Sequence, residues 1–264
     1  MPLRIVQSKQ NASLKQLRHA LAQPGRDPGS LVGIEGPNLL AEALRSGLRL
    51  DCVFVAQGSE RLLDSLSLPA GAEVLLLPRE LLSSALATET PQPIAALVEP
   101  PAWSWPQLIQ PPMPLVVVLA GLQDPGNLGT ILRSAEAFGA TGIVSLPGTV
   151  AAWNPKAVRA SAGSVFRVPL IESSVEDCLA QLRKAKIKLW TTAVAAAQPA
   201  SSANLASPIA LLIGNEGNGV PLELATQAEA ALTVPCPGPV ESLNASIAAS
   251  ILLYEASRQR GGLQ

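Results

Sequence analysis

Five apolar runs in the second half of the chain constrain its fold more than any other feature. They are Leu115–Leu119, residues 142–146, residues 189–194, Ile209–Ile213 and residues 231–234. A strand with one face in water alternates apolar and polar side chains, whereas these runs are apolar with few interruptions, as strands buried on both faces are. Helical patterns fall between most of them. The predicted fold is therefore α/β, with a mainly parallel sheet covered by helices on both sides. In such sheets ligands sit at the loops leaving the carboxyl ends of the strands, so any chemistry is expected there.

The first half reads as a smaller α/β unit. Runs at 31–34, 52–55, 74–77 and Ile94–Val98 alternate with helical patterns at 38–44 and 79–86. Between the halves, PPAWSWPQLIQPPMP (residues 100–114) holds six prolines in fifteen positions. Proline fixes its own φ and pushes the preceding residue toward extended backbone, so this stretch reads as a linker. The expected division is a domain at 1–99, a linker at 100–114 and a second domain at 115–264.

The formal net charge of the 264-residue chain is -1, so no overall basic field announces a nucleic acid or an anionic membrane. A local cluster does stand out: Arg4, Lys9, Lys15, Arg18 and Arg26 precede the first acid, Asp27. It reads either as a solvated helix face or as an arm contacting RNA phosphates. No apolar stretch approaches the ~20 residues of a membrane helix, and MPLRIVQSKQNASLK lacks a secretory signal, so the cytoplasm is the expected compartment. Cys52, Cys178 and Cys236 are far apart without a C-x-x-C pair, and read as three buried thiols rather than a disulfide or zinc framework. His19, the only histidine, falls in a helical pattern whose apolar face is Leu14, Leu17 and Leu21, and reads as solvated. A histidine-based triad or a two-histidine metal site is excluded. Residues 195–206 (AAAQPASSANLA) read as a flexible loop.

Three segments of the second half each follow a predicted strand. In GLQDPGNLGTILRSAEAFG (121–139), Pro125 and Gly126 form a turn and Asn127 is the expected N-cap of a helix over 128–138, whose first N–H groups could hold an anion. Arg133 lies within that helix. In IGNEGNGV (213–220), glycines at 214, 217 and 219 allow a tight turn and close approach of a ligand, and Glu216 reads as a helix cap or a ligand contact. The pattern is neither G-x-G-x-x-G nor a P-loop, which disfavours a Rossmann-type oxidoreductase. In VPCPGPVESLNASIAASILLY (234–254), a helix begins near Ser242 or Asn244, with Ser246 close by.

Taken in order, these segments closely resemble the three motifs of the SpoU (TrmH-like) family of RNA ribose 2'-O-methyltransferases, within the SPOUT superfamily. The Asn-x-Gly-x-x-x-Arg core is met by Asn127, Gly129 and Arg133, the Gly-Asn-Glu-Gly turn by residues 214–217, and the Ser-Leu-Asn-x-Ser core by residues 242–246. The first domain is similar to the ribosomal-protein-like substrate-binding domain of that family, through IEGPNLLAEAL (34–44) and TETPQP (88–93). The resemblance implies a catalytic domain with an α/β trefoil knot, S-adenosylmethionine as cofactor, RNA as partner with ribosomal RNA ahead of transfer RNA, no metal, and a homodimer formed through the catalytic domain. It assigns Gly214, Val234 and Leu243 to cofactor binding, and Arg133, Asn127, Glu216, Ser242 and Asn244 to the catalytic site. Cys236 departs from the methionine or other apolar residue frequent after that proline. Three other readings stay open at this stage: a transfer-RNA 2'-O-methyltransferase, an enzyme methylating a base nitrogen, and a non-catalytic RNA-binding relative.

Overall fold

The computed structural model describes residues 3–24, 29–86, 88–193, 197–240 and 242–261. Arg26, the last of the N-terminal cations, lies outside them. The chain divides into two compact units: Met1–Ala102 with Trp153–Phe166, and Trp103–Ala152 with Arg167–Gln264.

The first unit is built on β1 (Leu3–Ile5), α1 (Ala12–Ala22), β2 (Val32–Glu35), α2 (Pro37–Arg45), β3 (Leu50–Ala56), β4 (Glu73–Leu77), α3 (Arg79–Ser83) and β5 (Ile94–Val98). Its sheet runs β1-β4-β3-β5-β2, with β5 antiparallel to both neighbours and the other pairs parallel. The Asn11 side chain caps α1 by accepting from the Leu14 amide at 3.1 Å. The buried stripe Leu14, Leu17 and Leu21 then joins Phe54, Leu75 and Leu97 in one core, while His19 is exposed as expected. A Cβ on Gly33 would lie 2.8 Å from the Leu21 side chain, so a larger residue there would push Leu21 out of its present place between α1 and β2. Strand β1 was not expected. It places Arg4 beside Glu73 in an exposed ion pair at 3.0 Å, so that end of the basic cluster is a paired strand residue rather than an arm. At the end of β2 the buried Glu35 carboxylate accepts from Thr88 Oγ1 at 2.7 Å and from the Gln92 amide at 2.8 Å, which anchors the 88–92 loop.

In the second unit, residues 103–114 do more than link. They carry α4 (Trp105–Ile109), started by the Ser104 amide donating to Gln107 Oε1 at 2.7 Å and by Pro106 in the first turn, where a missing N–H costs nothing. The elements that follow are β6 (Leu115–Leu119), α5 (Pro125–Ala137), β7 (Gly142–Ser145), α6 (Pro155–Ala160), β8 (Leu170–Glu172), α7 (Val175–Lys184), β9 (Lys188–Thr192), β10 (Gln198–Pro199), β11 (Ile209–Ile213), α8 (Leu222–Ala225), β12 (Ala230–Thr233) and α9 (Ala245–Gln259). Of these, α6 packs with the first unit, against β2.

The strands form a seven-stranded, wholly parallel sheet ordered β10-β12-β9-β11-β6-β7-β8. All five apolar runs are in it, as predicted. Two strands were missed. β8 is short and half-exposed, and β10 lies in the stretch read as a flexible loop, where Ala200, Ala203 and Leu205 are in fact buried. Leu108 of α4 is buried against β7, and a Cβ on Gly142 would come within 2.4 Å of it. At the far end of the chain, Arg260 closes the unit by donating to the carbonyls of Met113, Leu205 and Ser207 at 2.7, 2.9 and 2.6 Å. No helix among the described residues is long and apolar enough to cross a membrane.

Candidate active site

From β6 the chain crosses through α5 to β7 on one side. From β11 it crosses through α8 to β12 on the other. Because β6 and β11 are neighbours, their carboxyl ends bound the crevice where the winding reverses, the usual ligand position of an open parallel sheet. Here the protein's own polar groups fill it. Glu216 Oε1 accepts from Asn127 Nδ2 at 2.9 Å and from the Asp124 amide at 3.2 Å, and Oε2 accepts from the Gln123 amide at 3.3 Å. Asn127 Oδ1 in turn accepts from Asn244 Nδ2 at 3.1 Å. Asn244 Oδ1 caps α9 by accepting from the Ser246 and Ile247 amides at 2.9 and 3.3 Å. One residue from each predicted segment thus joins a single hydrogen-bonded chain.

Two details differ from expectation. Helix α5 begins at Pro125 with Asp124 as its cap, accepting from the Gly126 amide at 3.1 Å, so Asn127 sits inside the first turn and is buried. Proline presets the φ of a first helical residue, which moves the start three residues upstream. The Leu128 amide, expected to face an anion, donates to the Asp124 carbonyl at 3.2 Å, and the amides at the true helix start, those of Gln123, Asp124 and Gly126, are taken by the carboxylates of Glu216 and Asp124. Burial pushes the Glu216 carboxyl up, but the hydrogen bonds from Asn127 and from the amides of Asp124 and Gln123 outweigh it and hold it below its ordinary value.

The Gly214–Gly219 turn closes through paired bonds between Asn215 and Gly219 at 2.9 and 3.0 Å. Asn215 Oδ1 accepts from the Gly217 and Asn218 amides, and its Nδ2 donates to the Gly121 carbonyl at 2.9 Å. A Cβ on Gly214 would lie 2.2 Å from the Gly219 carbonyl carbon and 2.3 Å from the Val220 nitrogen. Glycine is therefore required there by the turn's own backbone, before any ligand is considered. Asn215 and Gly121 were not singled out from the sequence, although asparagine in a glycine-rich turn is a known side-chain-to-backbone bonder.

Beside this chain, a cavity of about 640 Å³ opens at the carboxyl ends of β9, β11 and β12, within the range of ligand pockets. Gly214, Val234, Ser242 and Leu243 line it, together with Thr191 and Cys236. Of the described residues that line it, Cys236, Ser242 and Leu243 make no hydrogen bond from their backbone amides to other backbone. Cys236 is only half-buried, unlike Cys52 and Cys178, whose thiols burial pushes up to about 12. Arg133 stands apart from the cavity: it is exposed on α5 and has no hydrogen bond or ion pair among the described residues. Nor do those residues contain a cluster of metal-ligating side chains.

A wholly parallel sheet with a cavity at its carboxyl edge, walled by a glycine turn and by a proline-rich passage into the last helix, defines an α/β domain that binds a ligand at the ends of its strands. The chain belongs to the SpoU rRNA Methylase family, whose model matches residues 114–254, and an MRM3-like substrate binding domain matches residues 11–96. Among curated proteins it is 31% identical to the 23S rRNA (guanosine(2553)-2'-O)-methyltransferase RlmP of Bacillus subtilis, over 94% of this chain and 97% of that one. It is 37% identical over 56% of its length to the 23S rRNA (guanosine-2'-O-)-methyltransferase RlmB of Xanthomonas campestris, covering 60% of that protein. Among solved structures, an AdoMet-bound rRNA methyltransferase from Sinorhizobium meliloti superposes with a TM-score of 0.84 at 30% identity, covering 97% of this chain and 98% of that one. The SpoU methyltransferase AviRb from Streptomyces viridochromogenes, in complex with AdoMet, gives 0.83 at 28% identity over 97% and 100%.

Proposed function

We propose that this protein methylates a ribose 2'-hydroxyl of 23S-type ribosomal RNA, using S-adenosylmethionine. The observation that carries the reading is the joining of Asn127, Glu216 and Asn244 into one chain beside a cavity lined by Gly214, Val234, Ser242 and Leu243. The cavity suits the cofactor: Ile213 and Leu232 offer apolar walls for an adenine, and the backbone amides of Cys236 and Leu243, without backbone partners, offer donors for its edge. Ribosomal RNA is favoured over transfer RNA by the relative from Bacillus subtilis, which matches along both domains.

When bound, S-adenosylmethionine supplies a methyl group on a positively charged sulfur. The protein's part is alignment and electrostatics. Glu216 and Asn127 fix the first turn of α5, and this sets the position of Arg133 farther along the same helix. A guanidinium keeps its proton, so Arg133 serves as a clamp on the phosphate beside the target ribose and favours alkoxide character on the 2'-oxygen. The proton leaves to that phosphate or to water. Ser242 and Asn244 hold the mouth of the cavity at the start of α9.

The domain at 1–99 binds RNA, the stretch at 100–114 joins it to the catalytic domain at 115–264, and the path from β12 into α9 forms the trefoil knot. The enzyme works in the cytoplasm as a homodimer. Ile247, Ile251 and Tyr254, 48%, 38% and 44% exposed, lie along α9 at i, i+4 and i+7, an apolar stripe suited to a second copy.

The deciding experiment incubates the protein with labelled S-adenosylmethionine and total ribosomal RNA, digests the RNA to nucleosides and maps the label. A single 2'-O-methylribose position in the large-subunit RNA is the expected result. Label on a base, or no label from folded protein that binds the cofactor, overturns the assignment.

A further inference from the structure

A second cavity, of about 520 Å³, opens at the carboxyl ends of β7 and β8 and is lined by Ser145, Pro147, Gly148, Thr149, Glu172 and Ser173 among others. It lies on the opposite side of β6 from the first, and the Gly121 peptide unites the two. The Gly121 carbonyl accepts from Asn215 of the first cavity at 2.9 Å, and its amide donates to Thr149 Oγ1 of the second at 3.1 Å.

The polar groups here are unevenly used. Thr149 spends its proton on the Leu119 carbonyl at 3.1 Å, and Ser173 Oγ is engaged with Ser174 and Asp177. Ser145 is only 8% exposed, yet its hydroxyl makes no hydrogen bond to any described residue. Its oxygen still reaches the cavity that the residue lines, and Ser145 stands in register with Glu172 across β7 and β8, so the hydroxyl and the carboxylate are neighbours there. The Glu172 carboxylate, at the cavity's rim, also has no hydrogen bond or ion pair among the described residues.

No lysine or arginine lines this cavity, and its one charge is negative, so phosphate is disfavoured there. The matching ligand carries N–H donors for a carboxylate and an acceptor for a hydroxyl. Unpaired RNA bases are read along their Watson–Crick edges. Guanine alone sets two N–H groups, N1–H and N2–H, side by side for the two oxygens of one carboxylate, with O6 next to them. We propose that this cavity takes an unpaired guanine of the RNA substrate, which donates N1–H and N2–H to Glu172 and accepts at O6 from Ser145. The proposal rests on the RNA methyltransferase reading, and it makes Glu172 and Ser145 residues that determine specificity.

Two measurements test it. In methyl transfer to a 23S ribosomal RNA transcript, Glu172→Gln, which replaces an acceptor oxygen with a donor, raises KM for RNA roughly tenfold, in line with the cost of a lost bidentate base contact, and leaves kcat and cofactor affinity unchanged. Ser145→Ala raises the same KM severalfold while leaving the melting temperature unchanged or higher, because no bond within the protein is lost. Independently of activity, protein NMR follows titration with guanosine and with inosine, which lacks the N2 amino group. Guanosine shifts the amides of Ser145, Gly148 and Ser173 at lower concentration than inosine does, and Glu172→Gln abolishes the difference. Unchanged KM in both variants, or equal response to the two nucleosides, overturns the proposal. Wild-type protein that transfers no methyl to RNA defeats the functional reading instead, and the titration still decides the cavity.

Discussion

Arg133 and Glu216 carry opposite charges and meet opposite fates. The carboxylate is consumed within the protein, where three donors fix it, while the guanidinium is left unpaired on the surface of α5. A group with no structural duty is free to engage a substrate, so Arg133→Ala is expected to preserve the melting temperature and cofactor affinity while lowering turnover by roughly 100-fold or more. Arg133→Lys should recover little of this, since a lysine cannot make the two-pronged phosphate contact. Calorimetry with S-adenosylhomocysteine alongside single-turnover kinetics separates the two effects. Cys236 offers a second check. It is the one half-buried thiol, at the wall of the first cavity, and the other two are buried with pKa values near 12. Iodoacetamide should therefore modify Cys236 first, and S-adenosylhomocysteine should slow that reaction severalfold, as mass spectrometry of the peptides would show. At this scale the sequence was legible where a motif named a residue type at a spacing. It was silent on Gly121 and Ser145, whose roles depend on neighbours brought together from distant strands.

Among the elements, α4 and the two short strands mark where periodicity fails. Prolines at 100, 101, 106, 111, 112 and 114 suggest an extended linker, yet proline is welcome in the first turn of a helix, and a single buried leucine, Leu108, anchors the five-residue α4. Strands β8 and β10 have three and two residues, too few to establish a pattern. Strands β6 and β11, by contrast, were readable because burial on both faces leaves no polar position in them. Helix α9 depends on its last turn: Arg260 bonds the carbonyls of Met113, Leu205 and Ser207, and burial lowers its own pKa from the usual arginine value. Arg260→Ala leaves these acceptors without their donor. It is expected to lower stability by about 2–4 kcal/mol in urea unfolding, with little change in the m-value.

For the whole molecule, the apolar stripe of α9 predicts self-association. Ile251→Asp puts a charge in the middle of that stripe, on a side chain already 38% exposed in the single chain. Sedimentation should show the wild type as a dimer and the variant as a folded monomer, with circular dichroism unchanged. A variant that remains dimeric would place the contact elsewhere.

The order of the chain has a further consequence through β2. That strand ends its sheet, and the segment that packs on it, Trp153–Phe166, is encoded some fifty residues after the rest of the unit, with Gly163 close against Glu42 of α2. During synthesis, therefore, the nascent N-terminal half waits with a bare strand edge until about a third of the next unit has left the ribosome. A protein truncated at Ala102 would keep that edge bare permanently and should aggregate, whereas co-expression with a peptide spanning 153–166 should restore its solubility.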